Sequence, residues 1–441
     1  MSEITTLLVS LQPFLRTCHF RQLTLISEAL LMMHGRITML SISRWTGRGG
    51  SYRTIQRFFN ARLDWGELHW ELIKPFILKR SGVFLLLGDA STVTKAGQCT
   101  FGVGRFFSSI YSRAVPGISF QTLSLLEVDQ ARSWPLLIEQ ILPKPRVVKP
   151  KRSTADKRKS QHPPKPKGRP KGSKNQNRRE VELNTEMKQV QGMLKQALAR
   201  IGNQLKLCYF VYDGAFGNNA AVQMTRQTGL HLISKLRNNS ALYFRWQGVY
   251  AGRGARRRYG ERVDYTQLPV EYLTSETIEK NTRISTYQFT AIHKTFADPL
   301  NVVVILKLNE KTGKTARVIL FSTDLELAAE NLVKYYRLRF QIEFNFRDAK
   351  QHWGLEDFMV IQKQPVSNAA NLSLFMVNLT QAMMAKTSET SVLDLKARYH
   401  GRRYAQEAFK ILPQRTEVII FEEWIKKIPV LGRIHDQKMA A

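Results

Sequence analysis

The chain has 441 residues, of which 43% are hydrophobic, so it is long enough for two or three domains with sizeable cores. Lysine and arginine number 67 against 35 aspartates and glutamates, which gives a formal net charge of +32. This charge favours nucleic acid as the partner, with a ribosomal or membrane-surface protein as the alternative. The three separated cysteines and the scattered histidines indicate neither a disulfide framework nor a zinc ribbon.

No apolar run approaches the length of a membrane span, and the N-terminus lacks the basic start of a signal peptide. We therefore expect a cytoplasmic protein that has no membrane partner and acts on nucleic acid.

Residues 1–78 are predicted to form a helical, DNA-binding N-terminal region. Two short helices, Thr38–Trp45 and Ser51–Asn60, flank a glycine-rich break, and the second carries Arg53 and Arg57 beside apolar residues. This spacing is typical of a helix-turn-helix whose arginines contact DNA. The alternative is an ordinary helical hairpin with a solvated basic face.

Two buried strands are predicted, each followed by an aspartate. Val83–Gly88 is a continuous apolar run that ends at Asp89, and Leu205–Tyr212 is a second run that ends at Asp213. A single aspartate after a strand is more often a turn former or a helix cap. Two at matching positions can share a divalent cation, because Mg²⁺ prefers oxygen ligands.

These strands belong to a predicted α/β region at 79–236. It contains further strands and helices, at Gly97–Ser109 (strand), Gly117–Asp129 (strand), Ser133–Leu142 (helix), Glu182–Ile201 (helix), Asn218–Gly229 (helix) and His231–Lys235 (strand). This order indicates a mixed sheet with helices.

A basic segment, residues 144–179, interrupts this region. It contains fifteen lysines and arginines and one acid, Asp156, with six prolines and no apolar periodicity, so we expect it to be disordered when free. The sequence around Arg169, Gly-Arg-Pro, resembles the core of an AT-hook that reads a narrow minor groove. A tail that binds phosphates without sequence preference is the favoured interpretation.

Short alternating stretches at 237–323 predict a β-rich insertion. Within it Trp246 is expected to pack in the core, with stacking on a flipped base as the alternative. A long helix is then predicted from Leu325 to about Trp353, in a segment at 324–366 that completes the core. Residues 367–441 are predicted to be mainly helical, with dimerisation as one role.

The long helix carries a stripe of polar residues. At about 100° per residue, Arg339, Glu343 and Lys350 lie about −60°, −20° and −40° from Tyr336, so the four residues share one face. Asp348, at about +120°, points elsewhere, and Glu326 and Glu330 are further acidic candidates on the helix. A solvated face with an Arg339–Glu343 pair is the alternative. The phenylalanines elsewhere on the helix indicate that it is substantially buried, which favours a site where phosphate and metal meet.

The spacing Tyr336-x2-Arg339-x3-Glu343-x6-Lys350 resembles the Y-R-E-K signature of insertion-sequence-four-type transposases, a family of DDE enzymes. The resemblance covers about residues 80–355. It implies a ribonuclease-H-like mixed-sheet core with helices on both faces, a β-rich insertion and helical N- and C-terminal regions. The less charged sequence around Asp213, and the basic segment inside the core, depart from some relatives.

The resemblance also implies a mechanism. Asp89, Asp213 and Glu343 would bind two Mg²⁺ ions, replaceable by Mn²⁺, while Tyr336, Arg339 and Lys350 would hold DNA phosphates. The expected activity is cut-and-paste transposition in the bacterial nucleoid. The partners would be double-stranded DNA, as inverted-repeat ends and as target, and a second copy of the chain. The alternatives are another ribonuclease-H-like nuclease and a non-enzymatic DNA-binding protein derived from a transposase.

Overall fold

The computed structural model describes residues 3–46, 49–108, 111–143, 177–250 and 252–411, and side chains up to 406. Arg169, the Gly-Arg-Pro sequence around it, most of the basic segment and residues 412–441 therefore lie outside the described residues. No helix in the described ranges is long and apolar enough to cross a bilayer.

One mixed sheet runs through the described part of the chain and contains twelve strands. In chain order these are β1 (Phe84–Thr94), β2 (Gly104–Ser108), β3 (Arg113–Glu127), β4 (Arg132–Ile141), β5 (Leu207–Tyr212), β6 (His231–Leu236), β7 (Leu242–Arg245), β8 (Tyr259–Arg262), β9 (Leu273–Glu279), β10 (Thr282–His293), β11 (Leu300–Asn309) and β12 (Thr315–Ser322).

The first half of the sheet has the ribonuclease-H-like arrangement. Strands β1, β3 and β4 are neighbours and antiparallel, and β5 and β6 continue on the other side of β1 in parallel. The β-rich stretch extends the same sheet, because β12 pairs antiparallel with β6 and is followed by β11, β10, β7 and β8. Strands β8 and β9 were not predicted from the sequence.

Helices surround the sheet and form the N- and C-terminal parts of the described chain. They are α1 (Glu3–Leu8), α2 (Thr17–Met32), α3 (Met39–Trp45), α4 (Tyr52–Asn60), α5 (Trp65–Ile77), α6 (Thr185–Ile201), α7 (Asn219–Arg226), α8 (Ala329–Leu338), α9 (Gln341–His352), α10 (Lys363–Met384) and α11 (Val392–Ile411). The alternating side chains of β1 show that both faces are covered. Phe84 and Leu86 pack with α5, α6 and α7, whereas Leu85 and Leu87 pack with α8 and α9.

Two predicted helices differ from the structure. Ser133–Leu142 is strand β4, since a short turn after β3 allows a hairpin and the run Trp134–Ile138 is buried on both faces. A continuous apolar run does not distinguish a buried strand from a helix. Pro135 is tolerated because it lies at a register shift on a strand whose one partner among the described residues is β3.

The predicted continuous helix from Leu325 to Trp353 is two helices. Around Arg339 and Phe340 the backbone hydrogen bonds change to the i to i−3 pattern, with Arg339 donating to the Tyr336 carbonyl at 3.2 Å and Glu343 to Phe340 at 3.0 Å. The angles predicted for Arg339, Glu343 and Lys350 relative to Tyr336 assume one straight helix, so their values do not hold across this break. The predicted stop at Gly354 is confirmed, since its φ of +76° favours glycine and a Cβ would lie 2.6 Å from Ile37.

Candidate active site

Asp89 and Asp213 lie side by side because of the register between β1 and β5. These strands are parallel, and Gly88 is aligned with Tyr212, so the next residue on each chain is an aspartate. Asp89 lies within β1 rather than after it, at the point where the buried run ends. Asp213 directly follows β5 with extended φ and ψ, and its carbonyl accepts a 3.0 Å bond from Ser234 on β6.

Both aspartates face helices α8 and α9. Asp89 is two residues beyond Leu87 and Asp213 is two residues beyond Val211, and both of these apolar side chains pack in the core under those helices. Gly88 points to the opposite face, where a Cβ would come within 2.7 Å of the Phe210 ring. Glycine at 88 therefore allows the close approach of β1 to β5 immediately before Asp89.

Arg339 joins the first aspartate to the helical glutamate. Its guanidinium donates to Asp89 Oδ2 at 3.2 Å and to Glu343 Oε1 at 3.1 Å, and its side chain is only 14% exposed. Tyr336 is adjacent, with its ring centre 6.0 Å from the Arg339 guanidinium carbon. The structure thus brings together Asp89, Asp213, Tyr336, Arg339 and Glu343. Asp348 is paired with the neighbouring Arg347 instead.

Helix α9 runs alongside β1, and Lys350 marks the far end of this contact. Its ammonium donates to the Thr92 carbonyl at 3.1 Å and lies 3.4 Å from Glu356 Oε1. Seven helical residues and three strand residues both span about 10 Å, which matches Glu343 beside Asp89 with Lys350 beside Thr92. Lys350 is therefore engaged with protein groups, in addition to any phosphate that it contacts.

The electrostatics of the site centre on Asp89. Burial raises the pKa of the Asp89 carboxyl to about 6, against the lowering effect of the Arg339 guanidinium, and Asp213 and Glu343 add smaller raising effects. Burial also raises the pKa of the Tyr336 hydroxyl, which therefore stays protonated at neutral pH. The charge of Arg339 therefore does not offset the effect of burial on the pKa of Asp89.

The donor set suits a hard divalent cation, because it consists of carboxylate oxygens alone. Among the described residues, no three histidine, cysteine or carboxylate side chains lie close enough together to form a metal centre as they stand. Arg339 lies between Asp89 and Glu343, where it supplies the positive charge that such a cation would supply. Asp89, Asp213 and Glu343 can hold a cation when Arg339 leaves Asp89 and Glu343 and pairs with another anion.

One supporting residue was missed by sequence reasoning. Gln121 on β3 is 2% exposed; its amide donates to the Asp89 carbonyl at 3.1 Å and its oxygen accepts from the Tyr212 hydroxyl at 3.0 Å. It fixes the backbone of Asp89 relative to β5. A polar amide inside a buried strand was the available signal.

The other candidate residues lie away from this cluster. Arg53 and Arg57 are exposed on α4, whose buried face consists of Ile55, Phe58 and Phe59, and the predicted pair of short helices is confirmed. The expectation that Trp246 packs in the core is wrong. It is 37% exposed, with the Arg257 guanidinium 4.0 Å from its ring centre, because it follows the short strand β7, next to the edge strand β8.

Comparison with known proteins identifies the family. Residues 11–294, more than half of the chain, match the family of DDE superfamily endonucleases. Residues 277–393, which include α8 and α9, match the family of archaeal putative transposase ISC1217.

A solved structure, the piggyBac transposase synaptic complex with hairpin DNA, is similar with a TM-score of 0.37 and 11% identity, over 97% of this chain and 83% of that one. No curated protein matches. The chain belongs to the DDE superfamily of endonucleases.

Proposed function

We propose that this protein is a DNA transposase that binds the ends of an insertion sequence, cleaves them and joins the 3′ ends to target DNA. The observation that carries the proposal is the alignment of Asp89 and Asp213 on parallel strands, with Glu343 linked to Asp89 through Arg339. The match of α8 and α9 to a putative transposase family supports it. The Y-R-E-K assignment is part of the same proposal.

Asp89, Asp213 and Glu343 would hold two Mg²⁺ ions, which Mn²⁺ can replace. Such ions, when bound, supply activation of a water or 3′-hydroxyl nucleophile and charge stabilisation at the leaving oxygen.

The cationic and phenolic groups would orient the DNA. Arg339 has five N–H donors and uses two on Asp89 and Glu343, so it can also donate to a phosphate oxygen. The protonated Tyr336 hydroxyl can donate to the same phosphate. A phosphate that draws Arg339 away from the carboxylates would free them for cations, which couples DNA binding to assembly of the site.

The proposal also gives the N-terminal region, the basic segment and the C-terminal region roles in DNA binding and dimerisation. Residues 1–78 would contact DNA through Arg53 and Arg57, and the basic segment with Arg169 would add phosphate contacts. Two ends have to be paired, so we propose a homodimer in the DNA complex, with residues 367–441 as its interface. The light-scattering mass of the protein with and without DNA would test this assembly.

The central test is cleavage of a plasmid that carries the gene with its flanking DNA, in Mg²⁺, with a second plasmid as target. Wild type is expected to cut at the flanks and join the 3′ ends to the target. Glu343→Gln should lower cleavage by at least about 10³-fold while gel-shift binding persists. Asp348→Asn, the same change on the same helix at a residue paired with Arg347, is the matched control and should stay near wild type.

Each other outcome has a definite meaning. Retained cleavage in Glu343→Gln would overturn the assignment of this glutamate. Cleavage without joining in wild type would indicate a structure-selective nuclease, and binding without cleavage would indicate a non-enzymatic DNA-binding protein.

A further inference from the structure

A second basic feature lies in the β-rich half of the sheet. The described residues between β7 and β8 border a cavity of about 1440 Å³, and Arg245, Arg253, Arg256, Arg257 and Arg258 line it. Arg178 and Arg179 also line it. We call this concave surface the arginine basin. Its five arginines at 245–258 are all exposed.

The basin has a large excess of positive charge. Among the described residues that line it, Asp298 is the one acid, and it is already paired with Arg179 at 2.6 Å and with Arg226 at 3.2 Å. Within the described ranges, no carboxylate forms an ion pair with the five arginines at 245–258. Like charges held this close repel one another, and a polyanion would offset that repulsion.

Neutral groups hold three of these arginines in place. Arg257 donates to the Tyr259 carbonyl at 3.1 Å and lies over the Trp246 ring, and Arg258 donates to the Ala297 carbonyl at 3.3 Å. Arg256 lies 5.1 Å from the centre of the Tyr250 ring. These contacts orient the guanidinium groups without neutralising them, which is the arrangement expected of an anion-binding surface.

The basin is fastened to the part of the core that carries Asp213. Asn219, six residues after Asp213 and the first residue of α7, donates to the Arg178 carbonyl at 2.7 Å. Its side-chain oxygen accepts from the Ala297 backbone at 3.0 Å. Two basin segments are thus attached to the helix that follows the catalytic strand β5.

We propose that the arginine basin binds the phosphate backbone of double-stranded DNA, on a part of the duplex beyond the phosphates at Asp89 and Asp213. A free phosphate or a nucleotide would satisfy two or three guanidinium groups, whereas a backbone offers a row of phosphates that matches five exposed arginines. The inference rests on the proposed function, because that function names DNA as the polyanion.

The first test is the salt dependence of binding to a 40-base-pair duplex in EDTA. Arg245→Ala/Arg253→Ala/Arg256→Ala removes three cations that make no hydrogen bond to the backbone in the described structure. If each contacts a phosphate, the slope of log affinity against log salt should shrink by about 2.7, and affinity at physiological salt should fall by about 10- to 100-fold. Lys307→Ala/Lys311→Ala/Lys314→Ala, an equal charge removal at exposed positions of the β11–β12 hairpin, is the control and should change the slope by less than 1.

The second test locates DNA without disturbing the arginines. Val249 is 95% exposed at the basin, and Val249→Cys carrying a photoactivatable aryl azide should cross-link to the duplex. Ile278→Cys, at a position 63% exposed near the β9–β10 turn, should not. Both belong in a Cys18→Ser/Cys99→Ser background, since these two cysteines are exposed.

The outcomes separate this inference from the proposed function. Equal slope losses in the two triple variants, or equal cross-linking from the two cysteines, would overturn the basin even if plasmid cleavage occurs as proposed. Tighter binding of an RNA duplex than of DNA would also overturn it. Cleavage that survives Glu343→Gln would contradict the catalytic assignment and leave the basin result intact.

Discussion

The carboxylate site and the arginine basin treat positive charge in opposite ways. At the carboxylate site, Arg339 is 14% exposed and pairs with both Asp89 and Glu343. In the basin, Arg245, Arg253 and their neighbours are exposed and no described carboxylate pairs with them. A buried, paired arginine is part of the folded structure, whereas an exposed, unpaired one is available to a partner. Stability measurements should therefore distinguish the two regions as clearly as DNA binding does.

The largest difference is expected from removing one arginine at each place. Arg339→Ala leaves Asp89, Asp213 and Glu343 without their shared cation, so it should lower the free energy of unfolding at pH 8 by about 2–3 kcal/mol. Arg253→Ala should change it by less than about 0.5 kcal/mol. Urea unfolding in EDTA measures both. Similar losses in the two variants would contradict the contrast between them.

The Arg339 effect should also depend on pH in a defined direction. Without the guanidinium, one lowering influence on the pKa of Asp89 disappears, so that pKa should rise above its present value of about 6. The carboxylates then repel most when ionised. The stability loss in Arg339→Ala should therefore be larger at pH 8 than at pH 5, and an equal loss at both would show that the contact is not ionic.

A smaller, opposite effect is expected for Asp89→Asn. The pKa of Asp89 is raised from 3.8 to about 6, so its contribution to stability is fully present below about pH 4 and is lost as pH rises through 6. Asparagine removes this loss and should stabilise the protein at pH 8 by about 2 kcal/mol, with no gain at pH 4. Urea unfolding in EDTA at the two pH values would check it, and destabilisation at pH 8 would contradict it.

Added Mg²⁺ should stabilise wild type more than Asp89→Asn, which is the opposite of the order expected in EDTA at pH 8. A cation held by the carboxylates stabilises the folded state that binds it, so the melting temperature of wild type should rise with Mg²⁺. Asp89→Asn should respond little. An equal response in both proteins would mean that Mg²⁺ binds elsewhere.

Local patterns in the sequence identified the components of the site. The apolar runs before Asp89 and Asp213 and the spacing of Tyr336, Arg339 and Glu343 can be recognised without a structure. The pairing of β1 with β5 is not local, because more than a hundred residues separate the two strands, and so the adjacency of the aspartates required the structure.

The predictions that were wrong concern features that depend on contacts between distant parts of the chain. The break between α8 and α9 occurs at Leu338-Arg-Phe-Gln341, which contains no proline or glycine to announce it. The apolar run Trp134–Ile138 became a strand because β3 was available as a partner. Trp246 is exposed because its place after β7, near the edge of the sheet, leaves it against Arg257 rather than in a core.

Lys350 is intermediate between the paired Arg339 and the unpaired arginines of the basin. Its substitution is the last prediction and has a small expected effect on stability and on DNA binding. Its side chain is 17% exposed and its ammonium contacts the Thr92 carbonyl and Glu356, so Lys350→Ala should cost less than about 1 kcal/mol of stability. If it also binds a phosphate, the salt slope for the flanking DNA should shrink by about 0.9. Lys334→Ala on α8 is the control for charge alone. A stability loss with an unchanged slope would place Lys350 with the paired arginine, as a group that joins α9 to β1 and does not contact DNA.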